Sequence, residues 1–212
     1  MRRSKQAKQQ THARIVAAAA RRFRAGGIAG VGVADVMGEV GLTHGGFYAH
    51  FASKDALVAE ACGAGLAQSR ERLIRTIQRE PAERRLAAFI DLYLSADHRD
   101  HPEAGCVMPT LSGEVARSSG EVRAAFTQAY NDYRAALASL LLDTGNAGDA
   151  GSSDEAEATD EAMALLAGLA GTMLLARAVD DPELSERMLR VNRDYYKRLF
   201  AGPPDADAQP QR

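Results

Sequence analysis

The sequence predicts an all-α fold, with three short N-terminal helices followed by a larger helical domain. Three observations predict it. Apolar residues recur at steps of three and four, glycine and proline punctuate those runs, and no convincing strand-like alternation appears. Hydrophobic residues make up 46% and charged residues 25% of the 212, so the chain has enough apolar side chains for a sizeable core. No apolar run approaches the roughly 20 residues that span a bilayer, and no apolar stretch follows the basic start. Neither a membrane partner nor a secretory signal is therefore expected. Cys62 and Cys106 make no disulfide framework, which fits a reducing, cytoplasmic setting.

A first helix is expected from Lys8 to Ala25, with Ile15, Val16, Ala19, Ala20 and Phe23 on one face and Gly26-Gly27 as its stop. A short helix follows over Val33–Val40, halted by Gly41, and another over His44–His50. Ser53 stands at an N-cap position before a long helix, Lys54 to Arg79, with Asp55 in its first turn. After Pro81 come Leu86, Phe89, Ile90, Tyr93 and Leu94 at helical spacing, then an aperiodic segment, Asp97 to Gly105. Helix resumes over Val107–Ala116 and Glu121–Leu142. Thr144 to Asp154 has no apolar anchors and reads as a mobile loop. The last two helices, Glu155–Ala178 and Pro182–Phe200, part at Asp180-Asp181-Pro182, where proline suits a first helical turn. The domains expected are 1–53, 54–200 and a disordered tail, 201–212.

Charge is distributed unevenly. Residues 1–60 carry nine Lys/Arg against four Asp/Glu, a net of +5, whereas the remainder carries a net of −7. Up to Arg24 there are eight basic side chains and no acidic one. A basic head on an acidic body suits contact with a polyanion at one end; a solvated helix face gives the same pattern.

Short N-terminal helices joined by glycine turns make the layout of a helix-turn-helix. Ala34, Val36, Val40 and Leu42 would form the apolar face of its first helix, and Gly41 its turn. Thr43 can cap the second helix. Gly45 and Gly46 each cost about 1 kcal/mol against alanine in a helix, which makes sense where a backbone must approach a duplex closely. Phe47 and Phe51 would pack inward, leaving Tyr48 and His50 as donors toward phosphate and Lys54 on the same side.

The run Val33 to Leu57, VADVMGEVGLTHGGFYAHFASKDAL, resembles the TetR family of bacterial regulators over twenty-five contiguous positions. The resemblance implies a dimeric, all-helical subunit with an N-terminal helix-turn-helix domain and a C-terminal ligand-binding and dimerisation domain. By position it implies phosphate contacts from Thr43, Tyr48, His50 and Lys54, with His44, Gly45 and Gly46 facing base edges. Only His44 can hydrogen-bond there, so DNA shape and the basic arm (Arg2, Arg3, Lys5, Lys8) are expected to share in specificity. Family members often open the first helix of the pair with Thr or Ser; here Gly32-Val33 stand in that place.

The expected effector pocket draws on Phe89, Tyr93, Met108, Phe126, Tyr130, Tyr133 and Met173, a set suited to a small apolar or aromatic ligand. Any one of them is more often plain core than ligand contact. The segments GCVMPTLSGE, Gly105 to Glu114, and GTMLLARAVDDP, Gly171 to Pro182, are loosely similar to the NemR-like branch of the family. That likeness implies a sensing cysteine at Cys106, with Arg177 at the place of its basic partner. Cations at His98, Arg99 and His101 favour a reactive thiolate, while a packed core cysteine is the plainer reading; Cys62 reads as structural. His98, His101 and Cys106 with Asp97 and Asp100 lack the spacing of a metal site, so neither metal nor cofactor is expected.

Small residues Ala164, Ala167, Gly168 and Gly171, with a stripe of Leu184, Met188, Val191, Tyr195 and Leu199, suggest a two-helix homodimer face or the chain's own core. The function expected is a homodimeric, DNA-binding repressor on a near-palindromic operator, released by a small-molecule effector. An activator, or an enzyme or ligand protein on the same scaffold, is the alternative; no phosphate loop or nucleophile motif supports catalysis.

Overall fold

The structure, a computed structural model, describes residues 2–143 and 154–200. Among the described residues there are nine α-helices and three short 3₁₀ segments, with no strand. The expected loop beyond residue 143 and the expected tail, 201–212, lie outside them. Two compact units are present: Met1–Arg72 with Asp97–Tyr133, and Leu73–Ala96 with Arg134–Arg212.

The first unit is built on α1 (Arg2–Gly30), longer at both ends than its periodicity predicts. Ile15, Val16, Ala19, Ala20 and Phe23 are buried as expected. Within the expected Gly26-Gly27 stop, Gly27 at φ 75° and ψ 162° kinks the chain, but helical turns then resume to Gly30. Against α1 lies α2 (Val33–Glu39), whose buried face is Val36 and Met37, with Ala34 exposed and Val40 and Leu42 only half-buried. The Gly32 N–H donates to Asp35 at 2.9 Å, satisfying one amide at the start of α2 in place of a Thr or Ser cap. Arg21 and Arg22 both reach Glu39, the first at 2.6 Å, and Arg14 donates to the Val40 carbonyl at 3.0 Å. Those two guanidiniums hold the Glu39 carboxyl below the usual carboxylate range. Gly41 turns the chain at φ 74°.

The same unit contains the start of α3 (Lys54–Ile77), with Ser53 Oγ accepting from the Ala56 N–H at 3.0 Å as an N-cap. The aperiodic stretch Asp97 to Gly105 is more ordered than expected. It holds one-turn α5 (Ala96–Asp100) and a 3₁₀ turn, Pro102–Ala104, before α6 (Met108–Val115). Helix α6 and that turn both pack on α1.

The second unit joins α4 (Arg85–Tyr93), α8 (Asp154–Ala178) and α9 (Pro182–Leu199); α7 (Gly120–Asp143) divides between the units. Asp181 caps α9, accepting from the amides of Glu183 and Leu184 at 2.9 and 3.1 Å, with Pro182 in the first turn. Ser185 Oγ donates to the Ala176 carbonyl at 2.6 Å and ties α9 back to α8. Arg193 donates to the Leu94 carbonyl at 3.1 Å, and Lys197 pairs with Asp91, which seats α9 beside α4. One expectation fails on composition. Within Glu155–Ala178 an 18-residue window reaches a mean hydropathy of 1.3, enough to cross a membrane by length and composition, because Ala, Leu and Gly fill both sides of the helix there. Ala158, Ala162, Leu165, Leu166, Leu169 and Met173 are nevertheless buried in this unit.

An alanine Cβ at Gly168 would land inside the Tyr196 phenol, so this glycine serves the chain's own α8–α9 contact. Gly168→Ala should lower stability by about 1–3 kcal/mol, and become stabilising by about 1 kcal/mol in a Tyr196→Ala background, read from denaturant midpoints. Glu39→Gln should cost up to about 1 kcal/mol at neutral pH, since solvent screens the pair. Because the Glu39 carboxyl titrates lower folded than unfolded, that difference should be full above pH ~4.3 and vanish as pH falls through the folded value. A gap unchanged down to strong acid would contradict the Arg21–Glu39–Arg22 assignment.

Candidate functional site

The segment after Gly41 is a 3₁₀ helix, His44–Ala49, tighter than the α-helix its length suggested. Thr43 occupies the N-cap position, yet its side chain makes no capping bond, and its carbonyl accepts from the Gly46 N–H at 3.0 Å instead. The Thr43 hydroxyl is therefore not committed to its own helix.

Aromatic packing sets the orientation. Phe47 and Phe51 are buried and stacked at 5.4 Å between ring centroids, and His12 of α1 stacks on Phe51 at 4.5 Å. His12 in turn meets Glu60 of α3 at 2.6 Å. With the two phenylalanines inside, Tyr48 is turned outward at 67% exposure, its ring edge against His44 and Phe47. His44 and Gly45 are exposed, and nothing stands within 4 Å of a Cβ added at Gly45. Gly46 is closer in, with Met37 Cε 3.8 Å from the equivalent position.

His50 and Lys54 are less free than the sequence suggests. His50 is half-buried beside His12, with its Nδ1 out of solvent and unpartnered. Burial, then His12 and Lys8, push its pKa down, which favours the neutral ring. Lys54 Nζ donates to the Ile28 carbonyl at 2.7 Å, leaving two further N–H donors on the ammonium. The N-terminal basic set also divides. Arg14, Arg21 and Arg22 bind within the unit and Arg24 is 4% exposed, whereas Lys5 and Lys8 face solvent.

Around Cys106 the structure alters the sequence picture. The thiol residue is buried, its N–H donating to His98 Nε2 at 2.9 Å, so His98 is a backbone partner rather than a surface cation. Among the described residues no three His, Cys, Asp or Glu side chains converge as a metal site would require. A cation within electrostatic reach of the thiol is Arg24, which sequence reasoning did not identify. Burial lowers its pKa, and Cys106, Glu103 and Cys62 act against that. Its Nη2 donates to Gln68 at 3.2 Å, while Nε and Nη1 have no partner. Cys62, expected to be structural, also feels Arg24, but burial dominates and pushes its thiol up to about 11.

The remaining pocket residues fall in both units. Cys106, Met108 and Tyr133 are buried in the first, with Phe126 and Tyr130 half-buried. Burial pushes the Tyr133 phenol well above its usual range. Phe89, Tyr93 and Met173 are buried in the second unit, which also contains the half-buried Arg177.

Comparisons with known proteins agree with this architecture. Residues 15–61 match the model for bacterial regulatory proteins of the tetR family, and residues 82–191 match the tetracyclin repressor-like C-terminal domain. No curated protein matches the sequence. The reduced form of NemR from E. coli shares the fold at TM-score 0.74 and 23% identity, covering 92% of this chain and 98% of that one. A TetR-family regulator from Cytophaga hutchinsonii gives 0.73 at 21% identity, covering 92% and 95%. A TetR regulator from Chloroflexus aurantiacus gives 0.71 at 25%, covering 93% and 98%. With its helix-turn-helix followed by a matched C-terminal domain over more than half its length, the chain belongs to the TetR family, non-enzymatic transcriptional regulators with a DNA-binding and a ligand domain.

Proposed function

We propose that the protein is a cytoplasmic homodimeric repressor that leaves its operator when a small apolar or electrophilic effector binds. The observation that carries this reading is the division of the recognition segment. Phe47 and Phe51 are buried, and His44, Gly45 and Tyr48 are presented to solvent on one short turn. In a two-fold dimer, two such segments spaced about 34–36 Å apart would enter successive major grooves of a near-palindromic site. Thr43, Tyr48, His50 and Lys54 would hold phosphates, and His44 would be the main side chain near base edges, beside Gly45 and Gly46.

An exposed apolar face supports the dimer. Leu174 and Leu175 on α8 and Leu184, Val191, Tyr195 and Leu199 on α9 are all exposed in the single chain, and large exposed apolar patches mark association surfaces. Two such helices from each subunit would form a four-helix bundle. The effector would bind in the ligand domain, with Cys106 as its reactive contact beside Met108, Phe126, Tyr130 and Tyr133 of the same unit. Its binding would stabilise the form in which α3, starting at Lys54, holds the recognition segments at the wrong spacing.

Footprinting on the DNA upstream of its own gene should show a near-palindrome, and loss of the protein should raise transcription there. Sequence-independent retardation alone would refute operator recognition. Lys54→Ala should weaken binding to all sequences and reduce the salt slope by about 1 for each phosphate that the ammonium neutralises. Val191→Glu should shift the protein toward monomer in sedimentation and weaken operator binding; a dimer of unchanged affinity would exclude this face. For the thiol, N-ethylmaleimide should release the operator from the native chain and spare the Cys106→Ser protein. Release that persists in Cys106→Ser assigns the reactive thiol elsewhere.

A further inference from the structure

We infer that Glu114, at the far end of α6, is a positioning residue for DNA binding, acting through one peptide group upon Lys54. The inference rests on the DNA-binding reading above. The Glu114 carboxylate accepts from two successive backbone amides just past the Gly27 kink, Ile28 N–H at 3.1 Å and Ala29 N–H at 2.9 Å. Lys54 Nζ donates to the Ile28 carbonyl at 2.7 Å. The Ile28 carbonyl and the Ala29 N–H belong to the same planar peptide. One amide therefore carries a carboxylate at the positive end of its dipole and an ammonium at the negative end.

Each charge strengthens the bond made by the other. A carboxylate on the N–H pushes electron density toward the carbonyl oxygen, which makes that oxygen a better acceptor for the ammonium, and both bonds are charge-assisted. The geometry is also built around the carboxylate. Gly27 has φ 75°, and a Cβ there would stand 2.7 Å from Glu114 Oε1, so only glycine leaves room for this approach. A free lysine side chain samples many rotamers. Anchored by one donor to a fixed carbonyl, Lys54 keeps its other two donors aimed from the first turn of α3, beside the recognition segment. Glu114 thus sets the aim of a cation that it does not touch.

The test uses the full chain, a duplex enriched by it from random-sequence DNA, and a double-mutant cycle between Glu114→Ala and Lys54→Met. Glu114→Ala should weaken binding about tenfold in the native background and less than about threefold once Lys54 is gone. Glu114→Gln, with one acceptor oxygen in place of two, should fall between native and Glu114→Ala, and it serves for the cycle if the alanine variant does not fold by circular dichroism. Amide exchange gives a readout independent of DNA: Lys54→Met should speed exchange at Ala29, on the far side of the peptide, at unchanged melting temperature. Equal losses in both lysine backgrounds, or Ala29 exchange indifferent to Lys54, would overturn the inference. Failure to enrich any duplex would instead overturn the DNA-binding reading, while the exchange experiment still decides the coupling.

Discussion

The stack of Phe47, Phe51 and His12 is the contact on which the interface depends. A six-residue 3₁₀ segment with two adjacent glycines has little tendency to persist alone, since the nucleus of any helix is costly and glycine adds about 1 kcal/mol per position. Burying two phenylalanine side chains contributes roughly 1.5–3 kcal/mol each, enough to offset that tendency. The stack also fixes rotation about the segment axis. Once the residues at 47 and 51 point inward, 44, 45 and 48 have to point out. His12 extends the arrangement to α1, and its bond to Glu60 joins α3 to the same cluster.

Much of this was legible in the sequence, and the reasons differ by residue. Gly41, Ser53 and the Asp181-Pro182 pair announce themselves because turns and caps are local chemistry, decided within three or four residues. The buried stripes of α1 and α4 follow from periodicity, whereas the stripe read on α9 is mostly exposed in the single chain, where Ser185 and Leu189 face inward instead. What could not be read are the long-range partners. Gly27 and Gly26 are equivalent by composition; the kink settles on Gly27, where a carboxylate 87 residues later in the chain needs the space. Thr43 looks like a cap by type but leaves its hydroxyl uncommitted. The apolar face of α2 shifted from Ala34 to Met37 because the 3₁₀ segment approaches from the Gly46 side.

Charge was the least legible property. Eight basic side chains up to Arg24 suggest a uniformly cationic arm, yet Arg14, Arg21 and Arg22 stitch α1 to α2, and Arg24 lies in the interior. A buried guanidinium is expensive to desolvate. Here it stands within electrostatic reach of two thiols and Glu103 without a close carboxylate partner. The basic character of the N-terminus is therefore partly mortar and partly surface, with Lys5 and Lys8 among the outward share.

The open position at Gly45 has a consequence for how such a regulator can diversify. Its backbone does not require glycine, and no neighbouring atom stands within 4 Å of an added Cβ. A change at this position would alter the exposed surface that we propose faces the groove, while the aromatic stack, the Glu39 clamp and the turn at Gly41 stay as they are. Binding preference and foldability are thus separable traits at this point in the chain. A duplicated copy could acquire a new address on the chromosome by a single substitution, without first passing through an unstable intermediate.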